Sequence, residues 1–278
     1  MRPKPLRTIS QLLLWATLAV LLTACSPRQL LVQGVAAELA SQGAADEEDL
    51  GLARDASPFY LKLSESLLRE NPGNTALALA VASGFTQYTY AFVAFEAERL
   101  AATDAKAAHA LNERARRLYW RAHRHAMAAL KYSPQHVGLA YWAAASWGAY
   151  IALSKDDPDA VADLPAVVQL ATQAWTADPA YGKGALASLM GTLEAARPGG
   201  SPAVATRYFD QAIALGEGQA AGPYVAKAEA IAQPAGDRAA FEQLLRQALA
   251  ASAARRDMPN QLMQARAVWL LGMADDLF

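Results

Sequence analysis

Apolar residues recur in this chain with the period of an α-helix over long stretches. The segment NTALALAVASGFTQYTYAFVAFEAERLAA, residues 74–102, keeps small and apolar side chains at helical spacing through many turns. β-Branched residues are sparse and rarely alternate with polar ones, so no stretch of the sequence predicts a strand. Because alanine and leucine dominate the composition, we predict an all-α fold.

Proline, glycine and capping residues divide the helical pattern into rods. Ser57-Pro58 is typical of a helix N-cap followed by proline in the first turn, and Asp157-Pro158 repeats this pattern. The segment Asn71–Asn74 is expected to stop one helix and to cap the next. Further breaks lie at Ser133-Pro134, Asp178-Pro179, Pro198–Pro202, Gly216–Gly222 and Gln233–Gly236. Their spacing predicts about ten helices joined by short turns, arranged as an array of antiparallel hairpins.

The hairpins resemble tetratricopeptide (TPR) repeats in a degenerate form. Ala205, Phe209 and Ala212 keep the spacing of the small and aromatic residues at which the two helices of that repeat cross. The prolines that end such units are spaced irregularly along the chain, so the repeat is not regular. Stacked hairpins still bury one continuous core, and we predict a TPR-like, α-solenoid-like bundle that presents a groove.

The N-terminus is typical of a secretory signal peptide. A basic opening precedes the apolar run Leu12–Leu22, which is too short to span a bilayer as a helix of the mature protein. The run ends at Leu22-Thr23-Ala24-Cys25, which resembles the bacterial lipobox, whose cysteine is acylated and becomes the first mature residue. We predict a lipoprotein signal peptide at 1–24, a lipidated N-terminus and tether at 25–53, and a TPR-like helical domain at 54–278.

Acylation of Cys25 would anchor the protein to a membrane. Several acyl chains, at about 0.8 kcal/mol per buried methylene, hold a protein there in effect permanently. Cys25 is the only cysteine, so the mature chain has no free thiol for a disulfide, a nucleophile or a metal site. Ser26 follows it, which by resemblance to enterobacterial lipoproteins favours sorting to the outer membrane. The predicted location is the periplasmic face of a bacterial membrane, with the outer membrane favoured.

The remainder of the chain contains no other apolar run that approaches the length of a membrane span, which predicts a soluble domain. The formal net charge is -1, from 25 lysines and arginines against 26 aspartates and glutamates. A near-neutral balance argues against nucleic acid as a partner, and so does the predicted compartment.

The sequence lacks the usual catalytic and cofactor motifs, including G-x-S-x-G, H-E-x-x-H, the P-loop and C-x-x-C. His123 and His125 are two positions apart and point to different faces of a helix, so we expect surface residues and not metal ligands. Helix capping explains the acidic residues Asp157 and Asp159, with ligand or calcium contact as the alternatives. We predict no enzyme activity, no catalytic residue, no metal and no cofactor.

Four arginines form a stripe on one predicted helix. They are Arg114, Arg117, Arg121 and Arg124, and they lie opposite a packed face of leucine and alanine. One interpretation is an ordinary solvated face. The other is a docking site for an acidic partner or a carboxylate ligand, because guanidinium groups pair with carboxylates through two hydrogen bonds.

The segment AYWAAASWGAYIALSK, residues 140–155, is unusually rich in aromatic residues. Tyr141, Trp142, Trp147 and Tyr150 crowd one short helix with alanines between them, and Lys155 follows. Core packing is one interpretation. The other is a groove for an apolar or aromatic ligand, lined by these five residues, since alanine permits close packing on one side and leaves flat aromatic surface on another.

Four long segments, together with the lipobox, resemble the T-component lipoproteins of TRAP transporters over most of residues 55–278. They are YWAAASWGAYIALSKDDPDAVADLP, DPAYGKGALASLMGTLEAARPGG, PYVAKAEAIAQPAGDRAAFEQLLRQALA and RAVWLLGMADDLF. The resemblance implies a TPR-like fold, a homotrimer with a hydrophobic channel in each protomer, and a hydrophobic or organic-acid ligand. It also implies an accessory role beside the solute-binding protein of a tripartite, ATP-independent uptake system.

The sequence leaves three functions open. The first is a non-enzymatic, lipid-anchored module that docks a TRAP-type solute-binding protein. The second is a structural envelope scaffold that docks proteins without a small ligand. The third is a hydrolase or lyase with an unfamiliar site, for which Glu194 is among the few acid–base candidates. The lipobox, the hairpin pattern and the family segments favour the first.

Overall fold

The computed structural model describes residues 47–278. The predictions for the signal peptide, for Cys25 and for most of the tether therefore lie outside the described residues. The first described helix begins at Leu50, inside the segment predicted as tether.

Helices make up the regular structure of the described part. The α-helices are α1 (Leu50–Glu70), α2 (Thr75–Thr89), α3 (Phe95–Leu100), α4 (Ala105–Leu130), α5 (Val137–Ala152), α6 (Pro158–Ala162), α7 (Leu164–Ala177), α8 (Ala185–Ala196), α9 (Pro202–Leu215), α10 (Gly222–Lys227), α11 (Arg238–Ala254), α12 (Met258–Gly272) and α13 (Ala274–Leu277). Two π-helical segments, Tyr90–Ala94 and Ala228–Ala232, and a 3-10 segment, Tyr181–Gly184, join some of them. Between residues 47 and 278 there is no strand, and the all-α prediction is confirmed.

Neighbouring helices pack in an order that follows the chain. α1 packs against α2, α2 against α4, α4 against α5, and α5 against α7. The second half continues with α8 against α9 and α11 against α12. This TPR-like array is the architecture that the sequence predicts.

Side chains cap many of the helices at their N-termini. Asn74 accepts a hydrogen bond from the backbone N–H of Leu77 at 3.0 Å, at the start of α2. Asp157 does the same for Asp159 at 3.1 Å, at the start of α6, and Ser201 caps α9. Each cap of this kind stabilises a helix by about 1 kcal/mol. The caps predicted at Asn74 and Asp157 are confirmed.

Pro58 lies well inside α1 and not in its first turn. Asp49 caps the helix, which then continues through the proline. Ser57, the predicted N-cap, instead donates its hydroxyl to the carbonyl oxygen of Ala53 at 2.5 Å. The predicted start at Ser57-Pro58 is wrong because Asp49 provides an earlier cap and buried Ala53 anchors the turn before the proline.

Small residues bring α8 and α9 close together. Ala205, Phe209 and Ala212 on α9 are completely buried. A Cβ atom at Gly191 on α8 would lie 3.0 Å from the ring of Phe209, which is tighter than an ordinary contact. The tetratricopeptide-like spacing of these residues therefore does mark a helix crossing, as predicted.

α2, the first π segment and α3 continue as one helix, Thr75–Leu100, which by length and composition alone could cross a membrane. The sequence-based expectation that no second apolar run approaches that length needs correction on this point. Half of the most apolar window of this helix is buried inside the protein. Phe85 and Val93, for example, belong to the core between α1, α2 and α4, so packing accounts for much of its apolar character.

The early and late helices of the array contact each other. Phe95 of α3 meets Trp269 of α12 with ring centroids 5.6 Å apart. Ala91 and Leu262 belong to the same buried cluster. The array therefore closes on itself, and this closure brings Arg266 of α12 to the first π segment.

Candidate functional site

The four arginines of the predicted stripe all lie on α4, but they make different contacts. Arg117 and Arg124 are exposed. Arg114 donates a hydrogen bond to the hydroxyl of Tyr88 at 3.3 Å. Arg121 is partly buried and pairs with α1. The stripe is therefore divided between contacts within the chain and groups that face solvent.

Glu65 of α1 is the acceptor for the buried part of the stripe. Its carboxylate accepts hydrogen bonds from Arg121 through Nε and Nη2, from Lys62 at 2.6 Å and from His125 at 2.9 Å. Arg121 also lies over the Phe85 ring, 5.0 Å from its centroid. Burial opposes ionisation of Glu65, but the hydrogen bonds from Arg121, Lys62 and His125 outweigh it and lower the pKa of Glu65 to about 2. The charge of Arg121 is thus already matched inside the chain.

The aromatic residues of α5 fall into two sets. Tyr141 contacts Trp142 at 4.8 Å and Tyr181 at 5.3 Å, measured between ring centroids. Trp147 and Tyr150 instead contact side chains of α4. The ring contacts of these residues therefore run in two directions, although Tyr141, Trp147 and Tyr150 pack against the same core cluster.

Four rings form what we call the aromatic stack, which joins α4 to α5: Trp120, His123, Trp147 and Tyr150. Trp120 lies nearly parallel to His123 at 4.9 Å and tilts against Tyr150 at 5.1 Å. His123 meets Trp147 at 4.5 Å. Trp120 is still 38% exposed, so part of its ring is open to solvent. Sequence reasoning selected the two residues from α5 and missed the two from α4.

His123 is buried at the centre of the aromatic stack. Its Nδ1 atom lies 3.1 Å from the carbonyl oxygen of Ala143, which can only accept, so Nδ1 carries the proton of the neutral ring. Burial lowers the pKa of His123, which keeps the imidazole uncharged at neutral pH. The expectation of a surface histidine is wrong here because α5 covers this part of α4.

An open cleft of about 230 Å³ lies beside the aromatic stack. It is lined by Glu113, Arg116, Arg117, Trp120 and Tyr150. The guanidinium of Arg116 lies 5.9 Å from the centroid of Tyr150 and pairs with Glu113 at 2.9 Å. Arg117 makes no ion pair with any residue of the described part, 47–278. The cleft thus combines aromatic surface with one uncommitted cation.

A second charged cluster, centred on Arg266, was not found by sequence reasoning. Arg266 is only 7% exposed and pairs with Glu229 at 2.6 Å and Glu98 at 2.8 Å. Its guanidinium lies 5.3 Å from the Phe95 centroid and 5.7 Å from that of Tyr90, and its Nη1 has no hydrogen-bond partner in residues 47–278. Burial raises the pKa of Glu98, although the Arg266 charge opposes this. The cluster links α3, the second π segment and α12.

The remaining candidates lie apart from these clusters. Glu194 accepts hydrogen bonds from Arg197 at 2.6 and 2.8 Å and from the backbone of Ser201 at 2.9 Å. These bonds, that of Arg197 first, lower the pKa of Glu194 and tie the end of α8 to the start of α9. Lys155 is exposed in the turn after α5. Within residues 47–278 no three or more histidine, cysteine or acidic side chains gather where they could hold a metal.

Comparisons with known proteins agree with this architecture. The family model described as TRAP transporter T-component matches residues 46–137 and 131–278. An uncharacterized protein of Treponema pallidum (strain Nichols) is 27% identical over 266 residues, which cover 84% of this chain and 81% of that protein. The crystal structure of TTC0263, a thermophilic TPR protein of Thermus thermophilus, aligns with a TM-score of 0.53 at 16% identity, over 79% of this chain and 92% of that chain. At that identity the likeness shows the fold alone.

Proposed function

The chain belongs to the TRAP transporter T-component family, and from this premise we propose that it is a lipid-anchored periplasmic accessory protein of a TRAP-type uptake system. In this role it docks the solute-binding protein of that system and catalyses no reaction. The family match over residues 46–137 and 131–278 is the observation that carries the proposal. The TPR-like array supports it, because such arrays present extended surfaces for other proteins.

The proposed cargo of the system is a hydrophobic or organic-acid solute, as the family resemblance implies. The ring contacts divide the candidate aromatic residues of α5 into two sets, and Lys155 lies exposed in the turn after them. We therefore assign the cargo to the uptake system and not to that set of side chains.

The anchor at Cys25 and a homotrimeric assembly complete the proposal. The lipobox supports the first and the family resemblance the second. Labelled palmitate is expected to enter the full-length chain and not the Cys25→Ser variant. Sedimentation velocity of the detergent-solubilised chain measures the assembly, and a monomer at all concentrations would contradict the trimer.

Affinity purification from the native host tests the docking role. The tagged, full-length lipoprotein is extracted in mild detergent, and an unrelated lipoprotein with the same tag serves as the control. We expect the solute-binding protein or the membrane subunits of a TRAP system to co-purify with this chain only. Recovery of neither, under conditions that keep the lipoprotein folded, argues against the proposal.

The alternative function is a structural envelope scaffold, which the same TPR-like array also supports. A scaffold predicts that other envelope proteins co-purify and that native mass spectrometry shows no retained small molecule. Deletion of the gene distinguishes the two functions. Uptake of the solute of the TRAP system slows if the chain is an accessory protein and stays unchanged if it is a scaffold.

A further inference from the structure

One face of α4 exposes large apolar side chains between cations. Arg117, Trp120, Arg124 and Met127 are three or four positions apart in turn, so they lie along one strip of the helix surface. We call these residues the α4 strip. Trp120 is 38% and Met127 37% exposed, and Tyr132, just beyond the helix, is 61% exposed.

The charge of the α4 strip is not compensated within the described chain. Neither Arg117 nor Arg124 makes an ion pair with any residue from 47 to 278. Arg121, on the neighbouring face of the same helix, is by contrast paired with Glu65. Free guanidinium groups on a surface attract carboxylates and bind them through two parallel hydrogen bonds. The strip therefore favours an acidic partner.

Trp120 is held in place before any partner arrives. Its ring rests on His123, whose own ring is fixed by the bond to the Ala143 carbonyl, and Tyr150 supports it from the side. The open cleft beside it measures about 230 Å³, which suits a single large side chain. A rigid aromatic surface loses little conformational entropy on binding, so contacts made there retain more of their free energy.

The strip suits a protein better than a small molecule. Tryptophan, tyrosine and arginine are the residue types that contribute most to binding free energy in protein interfaces. Met127 lies two helical turns beyond Trp120, about 10 Å along the axis, so a molecule small enough for the cleft would leave Met127 and Arg124 uncovered. A protein surface can cover the whole strip.

We propose that the α4 strip docks an acidic protein surface, which places one aromatic or aliphatic side chain beside Trp120 and carboxylates on Arg117 and Arg124. The inference rests on the proposed function, since an accessory protein needs a partner, and it deepens that function by assigning the face and the chemistry of the contact.

Site-specific photo-cross-linking in the native host tests the location. A benzoylphenylalanine residue replaces Met127 in the full-length lipoprotein, and in a control chain it replaces Val268, which is 56% exposed on α12. We expect an adduct with an acidic protein from position 127 and none from position 268. Mass spectrometry identifies the adduct. No adduct, equal adducts at both positions, an adduct with a second copy of this chain, or a small-molecule adduct would each overturn the proposal.

Binding measurements with the purified partner test the chemistry. We expect the Arg117→Glu/Arg124→Glu double variant, and separately Trp120→Ala, to raise the Kd at least tenfold, and we expect added salt to weaken the wild-type complex. The control double variant Arg69→Glu/Arg207→Glu makes the same charge change at two exposed arginines on α1 and α9 and is expected to leave the Kd unchanged. Equal losses in both double variants, or none in either, would overturn the proposal.

The two proposals can fail separately. If the cross-linked acidic protein is not part of a TRAP system, the α4 strip stands and the proposed function fails. If a TRAP solute-binding protein binds the Arg117→Glu/Arg124→Glu variant as well as it binds wild type, the proposed function stands and the proposed docking role of the α4 strip is wrong.

Discussion

Gly184 lies at the end of the turn between α7 and α8, where the chain passes close to α9. Its φ is 98°, and a Cβ atom there would clash with the backbone carbonyl oxygen of Ala212. We expect Gly184→Ala to lower the free energy of unfolding by roughly 2 kcal/mol or more, because both the backbone conformation and the available space exclude a side chain. Chemical denaturation measures the change.

The matched control for this variant is Gly73→Ala. A Cβ atom at Gly73 meets nothing within 4 Å. Its effect should stay within about 0.5 kcal/mol, as for most surface changes. A similar loss in both variants would show that the approach of Gly184 to α9 does not matter.

Glu65 gives the stability of the protein a specific pH dependence. Its pKa falls from 4.5 to about 2 on folding, so the ionised carboxyl stabilises the folded state. That stabilisation is complete above pH 4.5 and is lost as the pH falls towards 2. At pH 7 we expect Glu65→Gln to lower the free energy of unfolding by roughly 3 kcal/mol, because one pKa unit corresponds to about 1.4 kcal/mol.

Urea denaturation at a series of pH values checks this expectation. The difference between wild type and Glu65→Gln should narrow between pH 4.5 and 2. The exposed Asp156→Asn change is the control and should give no such trend. If the difference in unfolding free energy between wild type and Glu65→Gln does not depend on pH, the hydrogen bonds to Glu65 do not favour its ionised form.

At the scale of single residues, the sequence predicts local contacts better than distant ones. The caps at Asn74 and Asp157 follow from neighbours within three positions, and they are confirmed. The pairing of Arg121 with Glu65 joins residues 56 positions apart, and no local pattern specifies it. A lone charge in the apolar segment around Arg266 is a signal of a buried ion pair, but its partners depend on the tertiary fold.

At the scale of helices, periodicity and turn residues predict the all-α array, whereas the use of each face depends on the neighbouring helix. The arginines of α4 share one stripe in the sequence, but α1 covers Arg121 and leaves Arg117 exposed. The spacing of Arg117, Trp120, Arg124 and Met127 was equally visible in the sequence. A stripe defined by arginines alone omits Trp120 and Met127, and it is the exposure of these two side chains in the folded chain that identifies the strip.

The ion pairs of Arg266 join three elements, and their loss should be costly. Arg266→Met removes the cation that Glu98 and Glu229 share, but both carboxylates stay partly exposed to water, so we expect the free energy of unfolding to fall by about 1.5 to 3 kcal/mol. Because burial raises the pKa of Glu98, its charge is disfavoured in the folded chain. Glu98→Gln should therefore change stability by less than about 1 kcal/mol. Thermal or urea denaturation ranks the two variants, and the reverse order would contradict this account.

At the scale of the whole molecule, the contact between α3 and α12 makes the ends of the array depend on each other. An open array of repeats unfolds locally from its ends. We expect Trp269→Ala, which removes the contact with Phe95, to lower hydrogen-exchange protection in α12 and also in α3, while α8 and α9 keep theirs. Mass spectrometry of exchanged peptides measures the effect.

The control for the closed array is Phe278→Ala. Phe278 is 41% exposed, and its ring centroid lies 5.3 Å from that of Phe241 on α11, which is far from α3 along the chain. Its removal should leave α3 protected. A uniform loss of protection in every helix after Trp269→Ala would instead indicate general destabilisation, with no special coupling between the ends.

The contact between α3 and α12 depends on the number of residues in the helix that contains the first π segment. Phe95 bonds back to the carbonyl of Tyr90, five positions earlier, so the helix carries one residue more in this turn than an α-helix would. Loss of a single codon between positions 90 and 94 would remove that extra residue and restore ordinary winding, and the residues downstream would keep their direction. Loss of a codon in the α-helical turn that follows, such as that of Ala97, would instead turn everything downstream by about 100°. Glu98 would then face away from Arg266. A deletion of one residue in α3 would thus separate α3 from α12 without changing either Glu98 or Arg266.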